Sequence, residues 1–172
     1  MRPGIESRIM CKRFLWFMLS LGVTLTANAA DFDFSAYKRT TIAGFLEKHK
    51  TTECRKLSEP TTVISAVPHK YSIVTNFSRD LRPLTQENKE FLKKYGKAIR
   101  SNQQIVEMYK NEVLVQENGV DYWVPVQEQL IPALGDELKQ GQRFVLYVVL
   151  IGAVNNRCVF IATEFNASPK DA

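Results

Sequence analysis

Apolar and polar positions along this chain change rhythm near its middle. In the first half, Phe34, Tyr37, Ile42, Phe45 and Leu46 recur at near-helical spacing behind Asp33 and Ser35, so residues 35–48 read as an amphipathic helix. Phe91, Leu92, Tyr95, Ala98 and Ile99 share one face of a second predicted helix opened by Thr85. Gly96 weakens that helix by up to about 1 kcal/mol relative to alanine. Between the helices, Thr61–Val67 and Tyr71–Phe77 read as two short strands, joined as a hairpin through Pro68, His69 and Lys70. Leu81–Leu84 reads as a proline-interrupted connection.

The second half is β-rich. Ile105–Gln116 and Val120–Val126 flank Asn118-Gly119, a pair that tolerates the positive φ of a tight hairpin turn. Leu130, Ile131, Leu134 and Leu138 form a helical stripe, and Pro132 favours a short turn followed by a helix that starts near it. Gly141 then ends the helix. Phe144–Ile151 is apolar without a break, so both faces of that strand need cover: Phe144, Leu146, Val148 and Leu150 on one, Val145, Tyr147, Val149 and Ile151 on the other. Asn155-Asn156 turns the chain into Cys158–Phe165, a second hairpin. The pattern predicts an α+β domain: a mainly antiparallel curved sheet or partial barrel of five or six strands with two or three helices. A small barrel of the oligonucleotide-binding (OB) or SH3-like kind fits, a fold-level likeness that carries no function.

The N-terminus changes the compartment. Arg8, Lys12 and Arg13 precede an apolar run, Phe14–Thr26, and Ala27-Asn28-Ala29 supplies small residues for cleavage, so residues 1–30 read as a removable export signal. The run is shorter than the roughly 20 residues a membrane-spanning helix needs, so no transmembrane anchor is expected after cleavage. The predicted domain then covers residues 31–165, followed by a polar tail, 166–172, and the expected location is periplasmic or secreted. Four of the 23 Lys and Arg and one of the 18 Asp and Glu lie in residues 1–30, leaving 19 against 17. A body with a net charge of +2 and no basic stripe argues against nucleic acid as a partner.

Cleavage leaves Cys54 and Cys158 as the two thiols of an exported body, and the expectation is a disulfide between them. Two buried thiols, or a thiol pairing between chains, are the alternatives. Such a bond closes a loop of about 100 residues and stabilises by roughly 4 to 5 kcal/mol on the chain-entropy argument.

Familiar catalytic patterns are missing. His49 and His69 are the two histidines, in different predicted elements and without a carboxylate at ligand spacing, so no metal site and no cofactor are expected. Glu107 and Glu117 lie on one face of an extended strand but roughly 33 Å apart, whereas paired catalytic carboxylates need about 5 to 10 Å. Glu107, Glu112 and Glu117 therefore read as solvated charges on a hairpin.

Two groups remain as binding candidates. Tyr122 and Trp123, followed by Pro125, could stack a sugar or anchor a peptide at a barrel rim. His69, Lys70, Arg79, Asp80 and Arg82 gather polar and cationic groups near the ends of the first predicted hairpin and could face an anionic envelope ligand. The resulting expectation is an exported, non-enzymatic module that binds a protein or a cell-envelope component. The alternative is a small secreted hydrolase, effector or inhibitor whose site is assembled from residues scattered in sequence.

Overall fold

The computed structural model describes residues 32–50, 54, 62–101 and 104–168. The predicted export signal, the end of the polar tail and the chain on either side of Cys54 lie outside the described residues. The fold described below lies in the unit that begins at Asp33.

A 3-10 turn, Phe34–Ala36, leads into strand β1 (Lys38–Thr40) and helix α1 (Ile42–His49). Strand β2 (Thr62–Pro83), helices α2 (Gln86–Ala98) and α3 (Gln104–Met108), and the hairpin of β3 (Asn111–Glu117) and β4 (Val120–Val126) follow. A second 3-10 turn, Glu128–Leu130, runs into α4 (Ile131–Glu137), and strands β5 (Arg143–Val154) and β6 (Arg157–Asn166) complete the chain.

Five strands close on themselves in the order β2-β3-β4-β6-β5, with β5 returning to β2 and β1 added in parallel alongside β2. Neighbours in the barrel are antiparallel except β4 and β6. This Greek-key path makes the protein an α+β, OB-like barrel. Among the described residues there are four α-helices, of which α3 takes the place of part of a predicted strand.

Several local expectations are corrected. The predicted helix 35–48 begins only at Ile42: Thr41 caps it by accepting the Gly44 amide at 2.9 Å, and the chain before it is a 3-10 turn and an edge strand. The expected hairpin around His69 is one 22-residue strand, and the Leu81–Leu84 connection is largely its end. Between the pairs Ile64↔Gly152 and His69↔Leu150 the register shifts, so Pro68 sits in a bulge instead of a turn. Ile105 to Met108 is helical, not extended. In α2, Phe91, Leu92 and Tyr95 are buried as expected, but Ala98 and Ile99 are exposed.

Other readings hold. Asn118 and Gly119 have φ of 52° and 80°, and Asn155 and Asn156 have 48° and 65°, as the two hairpin turns require. Pro132 lies in the first turn of α4. Strand β5 is covered on both sides: Phe144, Leu146, Val148 and Leu150 enter the barrel core, while Val149 and Ile151 pack with Phe91, Leu92 and Tyr95 of α2. Val145 and Tyr147 are also buried, and the rings of Phe34 and Tyr37 lie 4.9 and 5.3 Å from that of Tyr147.

Helices α1 and α4 fill the barrel from opposite ends of the β3–β4 hairpin. Ile42 and Phe45 enter the core from α1, Leu134 from α4, with Leu130 and Leu138 flanking it. Glu117, at the turn end of β3, accepts the Ile42 and Ala43 amides at 2.8 and 3.0 Å. It thereby satisfies two of the four amides that a helix N-terminus leaves unpaired.

Candidate functional site

Strands β4 and β6 are in register at one pair, Val126↔Ala162. Before that pair they part, and the gap is a cleft of about 530 Å³, lined by Asp121–Pro125 except Val124 from β4 and by Arg157–Phe160 from β6. Leu46 and Lys50 approach from α1, Arg82 from the end of β2, and Thr85 and Asn88 from the start of α2. Cys54 and Cys158 also line it and are bonded to each other, with Cα atoms 5.0 Å apart, inside the limit of about 7 Å for a disulfide.

The first turn of α2 braces both sides of this cleft. Thr85 caps the helix by accepting the Asn88 amide at 3.3 Å. Asn88 then donates to Glu112 Oε1 at 2.5 Å, and Arg82 Nε donates to the other oxygen, Oε2, at 2.6 Å. Across the cleft, Glu87 pairs with Arg157 and accepts from Asn155. Glu87 also sits at the positive end of the helix dipole, which favours its charge there.

Glu112 is fully buried, its two oxygens held by Arg82 and Asn88. The Arg82 side chain is about 40% exposed, and its guanidinium carbon lies 4.2 Å from the centroid of the Trp123 ring. Register explains the assembly: Arg82 pairs with Glu112 and Glu112 with Pro125, so the three stand in one row across β2, β3 and β4. Trp123 is two residues from Pro125, on the same face.

Glu112 and Glu117 are therefore not the solvated hairpin charges that sequence suggested. Both are buried and each holds elements together. Glu107 alone of the three is exposed, paired with Lys110 one turn on, a bond that raises the lysine pKa. A buried carboxylate at an alternating strand position carries no sequence mark that separates it from a solvated one, because its partners come from β2 and α2.

The binding candidates divide. Tyr122, Trp123 and Arg82 meet at the cleft. Arg79 and Asp80 are exposed at a bulge of β2, where Arg79 takes φ 70°. Lys70 lies 5.5 Å over the Tyr37 ring. His69 lies away from the cleft, its ring 5.1 Å from that of His49, so the fold unites two histidines that sequence kept apart. His49 is buried and shares a 2.8 Å hydrogen bond with Tyr71, whose hydroxyl also accepts from Lys48 at 2.9 Å. Among the described residues no three His, Cys, Asp or Glu side chains gather as metal ligands, and no helix is long and apolar enough to cross a membrane.

Sequence reasoning missed Glu112, Asn88, Glu87, Asn156 and Arg157 as members of this site. The Asn155-Asn156 turn and the Thr85 cap were visible signals, but nothing local places the two beside one another. No protein family, curated protein or solved structure matches the chain.

Proposed function

We propose that this is an exported binding module, periplasmic or secreted, whose ligand from a protein or the cell envelope enters the cleft between β4 and β6. The observation that carries the reading is the cleft itself, an open seam walled by four segments and braced by fixed ion pairs. Its volume lies within the roughly 300–1,000 Å³ usual for ligand sites. Of the carboxylates around it, Glu87 and Glu112 are each tied to an arginine and Asp121 accepts from Gln116, an arrangement suited to holding shape more than to exchanging protons. The disulfide at the rim supports export, since such bonds persist in oxidising compartments.

The test is retention from an envelope extract of the source cell on immobilised protein, followed by mass analysis of what elutes. A component held by the native protein, recovered unchanged, and lost with Asp121→Trp, which plugs the rim from an exposed position, supports binding at the cleft. Recovery of a cleaved component, or equal retention by Asp121→Trp at unchanged melting temperature, overturns it.

A further inference from the structure

We propose that the cleft takes a ligand bearing a carboxylate group, and that the Arg82 guanidinium is the group on which it docks; this rests on the cleft being the binding site. Arginine has five N–H donors in a rigid planar fork. In Arg82 the Nε–H is committed to Glu112, and one face of the plane lies against Trp123. Among the described residues no hydrogen bond or ion pair ends on its Nη nitrogens, and they belong to a residue lining the cleft. The fork is thus held in orientation while part of it stays open, the arrangement that binds a carboxylate through two parallel N–H···O bonds without first losing side-chain freedom.

The buried Glu112 supports this reading. A buried ion pair contributes little stability compared with apolar side chains of the same shape. What the Glu112 pair does supply is direction: Asn88 fixes one oxygen, the other fixes Nε, and Arg82 cannot swing away. A guanidinium aimed by a buried partner is a first contact supported by a second layer.

Charge selects among oxyanions. Around the cleft stand the cations Lys50, Arg82 and Arg157, and against them the carboxylates Glu47, Glu87, Glu112 and Asp121. Cations do not exceed anions, so the field does not favour a polyanion. A single negative charge matched in shape to one fork fits better than a phosphate dianion. The volume admits a ligand of about disaccharide or tripeptide size, so the carboxylate can come from a sugar acid or from a peptide C-terminus.

The experiment titrates the intact protein with a methyl galacturonoside and with N-acetyl-trialanine, each carrying one negative charge, beside its uncharged counterpart, the methyl ester or the C-terminal amide. Calorimetry gives affinity, while NMR follows the Arg82 Nε–H and the Trp123 indole N–H. One acid is expected to bind at least about tenfold more tightly than its neutral form, and which one binds identifies the source of the carboxylate. Arg82→Lys should lose about tenfold, because an ammonium cannot present the fork. If that variant does not fold, Arg82→Met with Glu112→Leu removes both charges together, leaves no buried unpaired charge and should abolish the preference for the acid. Equal affinity for acid and neutral form, displacement by equimolar inorganic phosphate, or no binding of either acid at millimolar concentration overturns the proposal. A neutral form that shifts the Trp123 indole with the same midpoint as the acid overturns the carboxylate but keeps the cleft; shifts confined to the His49 and His69 region overturn both.

Discussion

Strand β5 and the seam between β4 and β6 belong to the same barrel, yet they are held by different means. Every residue of β5 from Phe144 to Val154 is buried, by the barrel core on one side and by α2 and the N-terminal segment on the other. The seam has one registered pair and is held by Glu112, Arg82, Asn88, Glu87, Arg157 and a disulfide. Hydrophobic burial is non-directional and tolerant, so it makes a wall. Ion pairs and hydrogen bonds are directional and costly to leave unmade, so they can hold a gap open with its side chains aimed. The molecule is apolar where it needs to be closed and polar where it can admit a ligand.

The largest effect should come from the wall. Gly152 has φ 144°, and a Cβ there would lie 2.0 Å from the Val63 carbonyl oxygen and 2.9 Å from the Phe91 ring. Gly152→Ala is expected to cost more than about 4 kcal/mol, the range reserved for substitutions that break backbone packing. Urea unfolding measures it, and a cost below about 1 kcal/mol would mean that β2 and β5 are not locked at their register shift.

Next is the covalent staple at the seam. Cys54 and Cys158 are 104 residues apart in sequence, and replacing both with alanine should cost about 4 kcal/mol by releasing the loop in the unfolded chain. The wall should retain its slowest-exchanging amides while those of Arg157 to Phe160 speed up. Uniform loss across β5 would deny that the two regions differ.

The third prediction separates the partners of one ion pair. Arg82→Met leaves Glu112 buried without its cation and is expected to cost about 3 kcal/mol, whereas Glu112→Leu leaves Arg82, which reaches water, and should cost less. Changing both should recover most of the loss. If the two single variants cost the same, burial is not what makes the pair asymmetric.

These differences also decide what the sequence could show. The eight-residue apolar run that becomes the centre of β5 needs no partner to be read, and both hairpin turns carry their φ requirement in Asn and Gly. Pro68 misled, because a bulge and a turn make the same local demand on the backbone. The seam was legible one residue at a time, as Trp123, Tyr122 and Arg82, but its carboxylates were assigned to solvent. A charge is cheap to bury only when its partners arrive from elsewhere in the chain, and those partners are fixed by topology instead of spacing.

Alkaline titration compares the regions in another way. Tyr109 is buried beneath the layer of α2 and α3, and desolvation pushes its pKa up to about 12 from 10.0, more than the bond from Gln127 at 3.1 Å lowers it. Since the folded state holds this proton more tightly than the unfolded one, stability is complete below pH 10 and falls as pH rises toward 12. The full loss is about 3 kcal/mol, and Tyr109→Phe should flatten that part of the profile. Tyr37 and Tyr95, also raised by burial, leave a smaller residual slope.

The smallest effect concerns the carboxylate that joins the two modes. Glu117 is buried at the end of β3, and its two oxygens cap α1 from a distance of more than seventy residues in sequence, while Thr41 caps the same helix locally. Glu117→Gln keeps the shape and one acceptor but loses the charge and places an NH₂ where an oxygen received an amide. The expected cost is about 1 kcal/mol, the scale of one charge-assisted hydrogen bond less what the remaining oxygen retains. Hydrogen exchange should quicken at Ile42 and Ala43, whose amides Glu117 receives, while Gly44, bonded to Thr41, should change little. Because α1 also carries Leu46 and Lys50 to the cleft, ligand affinity should fall by a few-fold at most. Unchanged exchange at Ile42 would show that α1 is held by Phe45 and its apolar contacts alone, which would extend the apolar wall to the helix and confine the polar mode to the seam.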